Sequence, residues 1–142
     1  MIQFNHVCSP QSLISILKNG QFNLHQDSIH GGIGIYGFIE GYPVCPNQSI
    51  VGRGAELVIK WEGDFIDLGT KPLPISLNPN SIYRQGASRS IIPALPSLTS
   101  IKVIDFTIHD FALRKIGIRD RVRLHRLRSK LSKNPILVNV AA

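Results

Sequence analysis

The chain is poor in acids, aromatics and cysteine, and it has no long apolar run. It holds 9 Asp and Glu against 16 Lys and Arg in 142 residues. Aromatic residues make up 7% of it, with one Trp and three Tyr. Two cysteines, Cys8 and Cys45, form no metal-ligand pattern, so reduced thiols are the default and a disulfide between them stays open. The histidines and Asp27 lack metal-ligand spacing, and no metal site is expected. No apolar stretch approaches the ~20 residues of a membrane span, so no membrane partner is expected. The start of the chain carries no charged segment leading into an apolar one, which argues against a secretory signal. The expected location is the cytoplasm, or export by a signal-independent route. No internal repeat is present.

What is there suits one folded domain. A 43% hydrophobic and 18% charged composition belongs to a globular chain. The charge is uneven. Residues 110–133 hold nine Lys or Arg against Asp110 and Asp120, while the rest of the chain balances at seven of each sign. The whole net charge of +7 therefore belongs to this stretch. We divide the chain into a domain of residues 1–109 and a basic helical extension, 110–142, packed on the same domain. Clustered cations point to nucleic acid or an acidic protein as partner, through Arg119, Arg121, Arg123, Arg126 and Arg128. The alternative is a solvated helix face. No aromatics interleave with the charges, which disfavours single-strand base stacking.

Residues 2–7 read as a strand. Ser9 can cap the helix that follows, and Pro10 suits its first position. Leu13, Ile16 and Leu17 share a helical face, and Gly20 supplies a stop. Residues 25–30 read as a loop and 33–39 as a strand interrupted by glycines. Residues 55–61 alternate as a half-buried strand. Short strands are expected at 65–68, 82–85, 90–93, 101–108 and 136–140, with an irregular Pro-rich stretch at 71–80. Residues 110–117 suggest a helical turn. Asp120 can cap a second helix, running to about 133 with Leu124, Leu127 and Leu131 on one stripe, before Asn134-Pro135 ends it. The fold class is α+β.

Two early segments carry the functional signal. One is Phe4-Asn5-His6-Val7-Cys8-Ser9-Pro10 with the helix behind it, and the other is Gly31-Gly32-Ile33-Gly34-Ile35-Tyr36-Gly37. A strand-end histidine, a short helix and a glycine-flanked tyrosine suit a nucleotide site. They resemble the ADP-ribosyltransferase fold, in the branch of diphtheria-toxin-like enzymes and poly(ADP-ribose) polymerases. The match covers residues 1–45, with a fainter one from 82 to 106. The resemblance implies a split β-sheet core with one early helix, and NAD as substrate. His6 would hold the adenosine ribose and Tyr36 would stack on nicotinamide. Cys8, Gly32, Gly34, Ile35 and Arg53 would line the NAD site. The plainer reading keeps His6 as a core histidine and Cys8 as a buried structural thiol.

The family places a glutamate late in the chain, before a run ending in Ile-Pro. Its charge stabilises the cationic sugar as nicotinamide leaves. Here the run is Ser88-Arg89-Ser90-Ile91-Ile92-Pro93, so Arg89 holds that place. Three explanations stand. Another acid serves, with Glu40, Glu56 and Glu62 as substitutes; or the chemistry is altered, as in RNA 2′-phosphotransferases, where arginine grips phosphate; or the chain only binds. The expected activity is therefore ADP-ribose transfer to a macromolecule by a toxin or effector, with His6, Tyr36 and Arg89 at the centre. The alternative is a degenerate binding module or a phosphotransferase-like enzyme.

Overall fold

The computed structural model describes residues 2–26, 33–39, 54–63, 66–69, 89–93 and 98–141. Strand β1 (Ile2–Cys8) runs into helix α1 (Pro10–Asn19), followed by β2 (Gln21–Asn23), β3 (His25–Gln26) and β4 (Ile33–Ile39). Strands β5 (Ala55–Trp61), β6 (Ile66–Gly69), β7 (Arg89–Pro93) and β8 (Ser100–Ile108) come next. A short α2 (Asp110–Leu113), the long α3 (Ile118–Lys133) and β9 (Ile136–Ala141) complete the described chain. It is α+β, as expected. The strands expected at 82–85 and the Pro-rich stretch 71–80 lie outside the described residues.

Helix α1 forms for local reasons. Ser9 keeps extended backbone and its Oγ accepts from the Ser12 N–H at 3.1 Å, while Gly20 ends the helix in the left-handed region at φ 67° and donates to Ile16 O. The helix buries Leu13, Ile14 and Leu17, and leaves Ile16 half-covered.

The strands make one mixed sheet in the order β2-β9-β8-β5-β1-β4-β7-β6, with β3 beside β4. Only β2 and β9 run parallel among the described pairs. Strand β9 thus threads residues beyond 110 into the sheet, between β8 and β2. The core joins Phe4, Leu57, Ile59, Val103 and Phe106 of the central strands to Leu13 and Leu17 of α1 and Leu124 and Leu131 of α3. Ile35 and Ile92 extend it under the β4–β7 half.

Three local expectations are revised. Helix α3 starts two residues before Asp120, which lies in the first turn; Gly117 is the cap, with Arg121 N–H donating to its carbonyl at 3.0 Å. Asp120 still favours that end of the helix through its charge. His25 and Gln26, expected in a loop, pair with Gly34 and Ile33. Gln21–Asn23, to which no strand was assigned, pairs with Asn139, Val140 and Ala141. Both strands are set by partners far away or across a turn, not by their own pattern.

Candidate functional site

The sheet opens where β1 and β4 part. Strand β1 pairs with β5 over its full length, from Ile2↔Trp61 to Cys8↔Ala55. With β4 it makes two pairs among the described residues, Phe4↔Ile39 and Asn5↔Phe38. The other half of β4, Gly34 to Gly37, pairs with β7. His6 and Gly37 are therefore the first residues past the last β1–β4 pair. Gly37 is required there: a Cβ would sit 2.1 Å from Asn5 O and 2.6 Å from Phe4 Cε1.

His6 is 8% exposed, and its ring meets the Phe22 ring edge-on at 4.9 Å and 75°. The Phe22 contact ties β1 to the short β2 strand. A cleft of about 320 Å³ opens here, lined by His6, Cys8, Ser15, Ile16, Gln21 and Phe22 among others. Ser12 and Asn23 complete its polar rim. The rim is already cross-linked: Ser9 Oγ meets Ser12 Oγ at 3.0 Å, Asn19 Nδ2 donates to Ser15 Oγ, and Gln21 Nε2 donates to Asn23 Oδ1. Hydroxyls and amides retain further donor and acceptor capacity after one bond each. An apolar floor with such a rim suits a sugar or nucleoside better than an isolated charge.

The expected site residues fall on three adjacent strands, β1, β4 and β7. His6 and Cys8 share the cleft, and Cys8 is buried. Gly34, Ile35 and Tyr36 lie on β4, opposite Pro93, Ile92 and Ile91 of β7. Ile35 is fully buried in the core, so only its backbone is left to meet a ligand. Arg89 opens β7 and pairs with Gly69, next to the Ser90↔Gly37 pair at the fork. The side chains of Tyr36 and Arg89 lie outside what is described, as do residues Gly32 and Arg53 altogether.

The substitute acids separate clearly. Glu56 is opposite Val7, whereas His6 is opposite Leu57, so alternation puts Glu56 on the other face of the sheet from His6. There its Oε2 lies 2.8 Å from His109 Nε2, a close polar contact whose ring geometry falls outside hydrogen-bond alignment. Its Oε1 accepts a long, 3.5 Å bond from Asn5 Nδ2. Glu62 follows β5 at the end that faces Ile2, four residues of β1 from His6. Glu40 lies outside the described residues. One acid escaped the sequence reading: Asp67 on β6 pairs with Ser90, which pairs with Gly37. Only the β6–β7–β4 register brings it to the row of the fork. The Asn5–Glu56–His109 cluster was missed for the same reason, since three distant segments build it.

The basic arginines also divide. Arg121 Nη2 donates to Leu113 O at 2.8 Å and its Nε to Ile116 O at 3.3 Å, which closes the turn between α2 and α3. Arg128 stacks on Phe106 at 4.2 Å and donates to Phe106 O and Asp105 Oδ1, both at 3.2 Å. Strand β9 covers β8 only from Ser100 to Val103, so Arg128 caps the strand edge beyond it. Arg119 and Arg126 are exposed and meet no acid among the described residues, and Arg123 makes an exposed pair with Asp120 at 3.0 Å.

No family model, curated protein or solved structure matches this chain. Among the described residues no helix is long and apolar enough to cross a membrane, and no three His, Cys, Asp or Glu gather as a metal site.

Proposed function

We propose that the chain is an NAD-dependent ADP-ribosyltransferase of toxin or effector type, which moves ADP-ribose from NAD to a macromolecule. The observation that carries this reading is the fork. His6 stands at the parting of β1 and β4 and lines the cleft beside α1; Tyr36 and Arg89 follow on the next two strands, each one residue off the Gly37↔Ser90 row and so alternating to the other face from His6, which only the opening between β1 and β4 lets one ligand reach. The cleft is sized for a nucleoside, so the adenosine half of NAD enters it and the nicotinamide half extends along β4.

In this mechanism His6 hydrogen-bonds the adenosine ribose and Tyr36 holds the nicotinamide ring. The glycosidic bond between ribose C1′ and the nicotinamide nitrogen breaks, and its electron pair leaves with nicotinamide. An acceptor nucleophile attacks C1′ and gives up its proton. Positive charge builds on the sugar, and a carboxylate is the group that stabilises it. Arg89 has the wrong sign for that work and the right fork geometry for the pyrophosphate. Asp67 takes the role of the missing glutamate in our reading, because the β4–β7–β6 pairing puts it in the row of Gly37, whereas Glu56, nearer in strands, alternates to the other face from His6. Arg89 also favours a second reading, in which the fold persists and catalysis is lost.

The test is nicotinamide release from NAD by the purified chain with cell lysate as acceptor, alongside NAD binding by calorimetry. Release is expected. It should fall at least about 100-fold in His6→Ala, and similarly in Asp67→Asn with NAD binding retained. Release that survives both substitutions refutes the assigned roles. Neither binding nor release leaves the second reading.

A further inference from the structure

Helix α3 carries its charge in two groups that the sequence does not separate. At ~100° per residue, the buried Leu124 and Leu131 mark the face toward the domain. Arg121 and Arg128 flank that face on the β8 side, and both bond to their own chain. On the other flank stand Arg119, Arg123, Arg126, Lys130 and Lys133, all exposed. These five fall within about 80° of the helix circumference and span roughly 21 Å of its length. They form a ridge with no aromatic and no aliphatic member. Asp120 is the one acid of α3, and its exposed pair with Arg123 breaks at little cost. Lys18 of α1 joins Arg123 and Arg126 across a groove of about 220 Å³ whose floor is Ile14 and Leu127.

We propose that this ridge is a docking surface for the phosphate backbone of a nucleic-acid duplex. A duplex carries one negative charge per about 1.7 Å of its axis, and a row of five cations over ~21 Å complements that charge. An acidic protein would fit less well, because stable protein contacts centre on aromatic and apolar anchors, whereas the five exposed side chains of the ridge are all cations and the aliphatic groups lie beneath or beside them. Single strands would want stacking aromatics. The contact reads charge, not sequence. It does not depend on NAD turnover, so it stands or falls separately from the proposed activity.

Fluorescence anisotropy of a labelled 20-base-pair DNA duplex with the full chain tests this, with an RNA duplex of the same sequence in parallel. Five phosphate contacts give a slope of log affinity against log salt near about −4.5, or about a 500-fold loss between ~50 and ~200 mM salt. Changing Arg119, Arg123, Arg126 and Lys130 together to Gln should bring the slope to about −1 and the loss to only a few-fold. These positions are exposed, so circular dichroism should report an unchanged fold; the single change Arg126→Glu provides a milder second variant, expected to reduce the slope and weaken binding at every salt. Arg121→Gln should leave the slope intact. A salt-insensitive affinity, undiminished binding by the quadruple variant, or tighter binding of poly-glutamate than of duplex overturns the proposal. So does tighter binding of phosphatidylserine vesicles, which would implicate the neighbouring exposed Ile118 and Val122.

Discussion

Gly37→Ala probes the fork with a single methyl group. The added Cβ would lie 2.1 Å from Asn5 O, 2.6 Å from Phe4 Cε1 and 2.9 Å from Asn5 C. Two of these three atoms are backbone, which no rotamer change can move aside. Ordinary contact starts near 3.4 Å, so β4 must retreat from β1 by about 1 Å, a strain typical of overpacking. The retreat falls on the two described β1–β4 pairs, Phe4↔Ile39 and Asn5↔Phe38. We expect a loss of about 3 kcal/mol, the upper end for an overpacked site. For a chain of this length each kcal/mol moves Tm by about 3 °C, so the melt should fall by about 10 °C. Thermal denaturation followed by circular dichroism reads the shift. Hydrogen exchange locates it: amides of Phe4, Asn5, Phe38 and Ile39 should lose protection while Ile101 and Val103 of β8 keep theirs. Gly117→Ala controls for the steric term alone, since nothing lies within 4 Å of its Cβ, and its loss should stay within the ~1 kcal/mol that a poorer cap costs. A Gly37→Ala protein that melts within about 3 °C of the parent would refute the close approach of β4 to β1 and, with it, the position of the fork.

Two further substitutions test α3. Gly117→Asp supplies the side-chain cap that α3 lacks, at φ −72° and with free space around the Cβ; it should add about 0.5 kcal/mol and raise Tm by about 1–2 °C over the parent, and by about 4 °C over Gly117→Ala, and an Asp variant that melts no higher than the Ala variant would mean that the helix does not begin there. Arg128→Ala removes the stack on Phe106 and the bond to its carbonyl, for a loss of about 1 kcal/mol. Asp105→Asn should cost much less, because both members of its ion pair with Arg128 are more than half exposed. Equal losses in the two melts would shift the weight to the ion pair.

Elements with local causes were legible in the chain. Ser9, Pro10 and Gly20 bracket α1 because a cap, a φ-locked first residue and a left-handed stop act within a few residues. Residues 55–61 announce β5 because alternation is a property of one strand. The buried stripe of Leu124 and Leu131 announces α3, and its glycine cap was missed because glycine lacks the side-chain acceptor by which caps are recognised. Part of the candidate site was legible. His6 stands out just before the turn into α1, and the structure sets it inside β1, just past the last β1–β4 pair, in a cleft with Cys8.

The sequence by itself determined the α+β class, both long helices and the placing of all net charge in residues 110–133, because propensity, capping, periodicity and charge are carried by near neighbours. Tertiary structure alone decided the rest. Register, which depends on pairs distant in sequence, sent Glu56 to the face away from His6, brought Asp67 to the row of the fork, and made strands of Gln21–Asn23 and His25–Gln26. Packing, which assigns each flank of a helix a neighbour, tied Arg121 and Arg128 to their own chain and left a ridge of five cations facing outward.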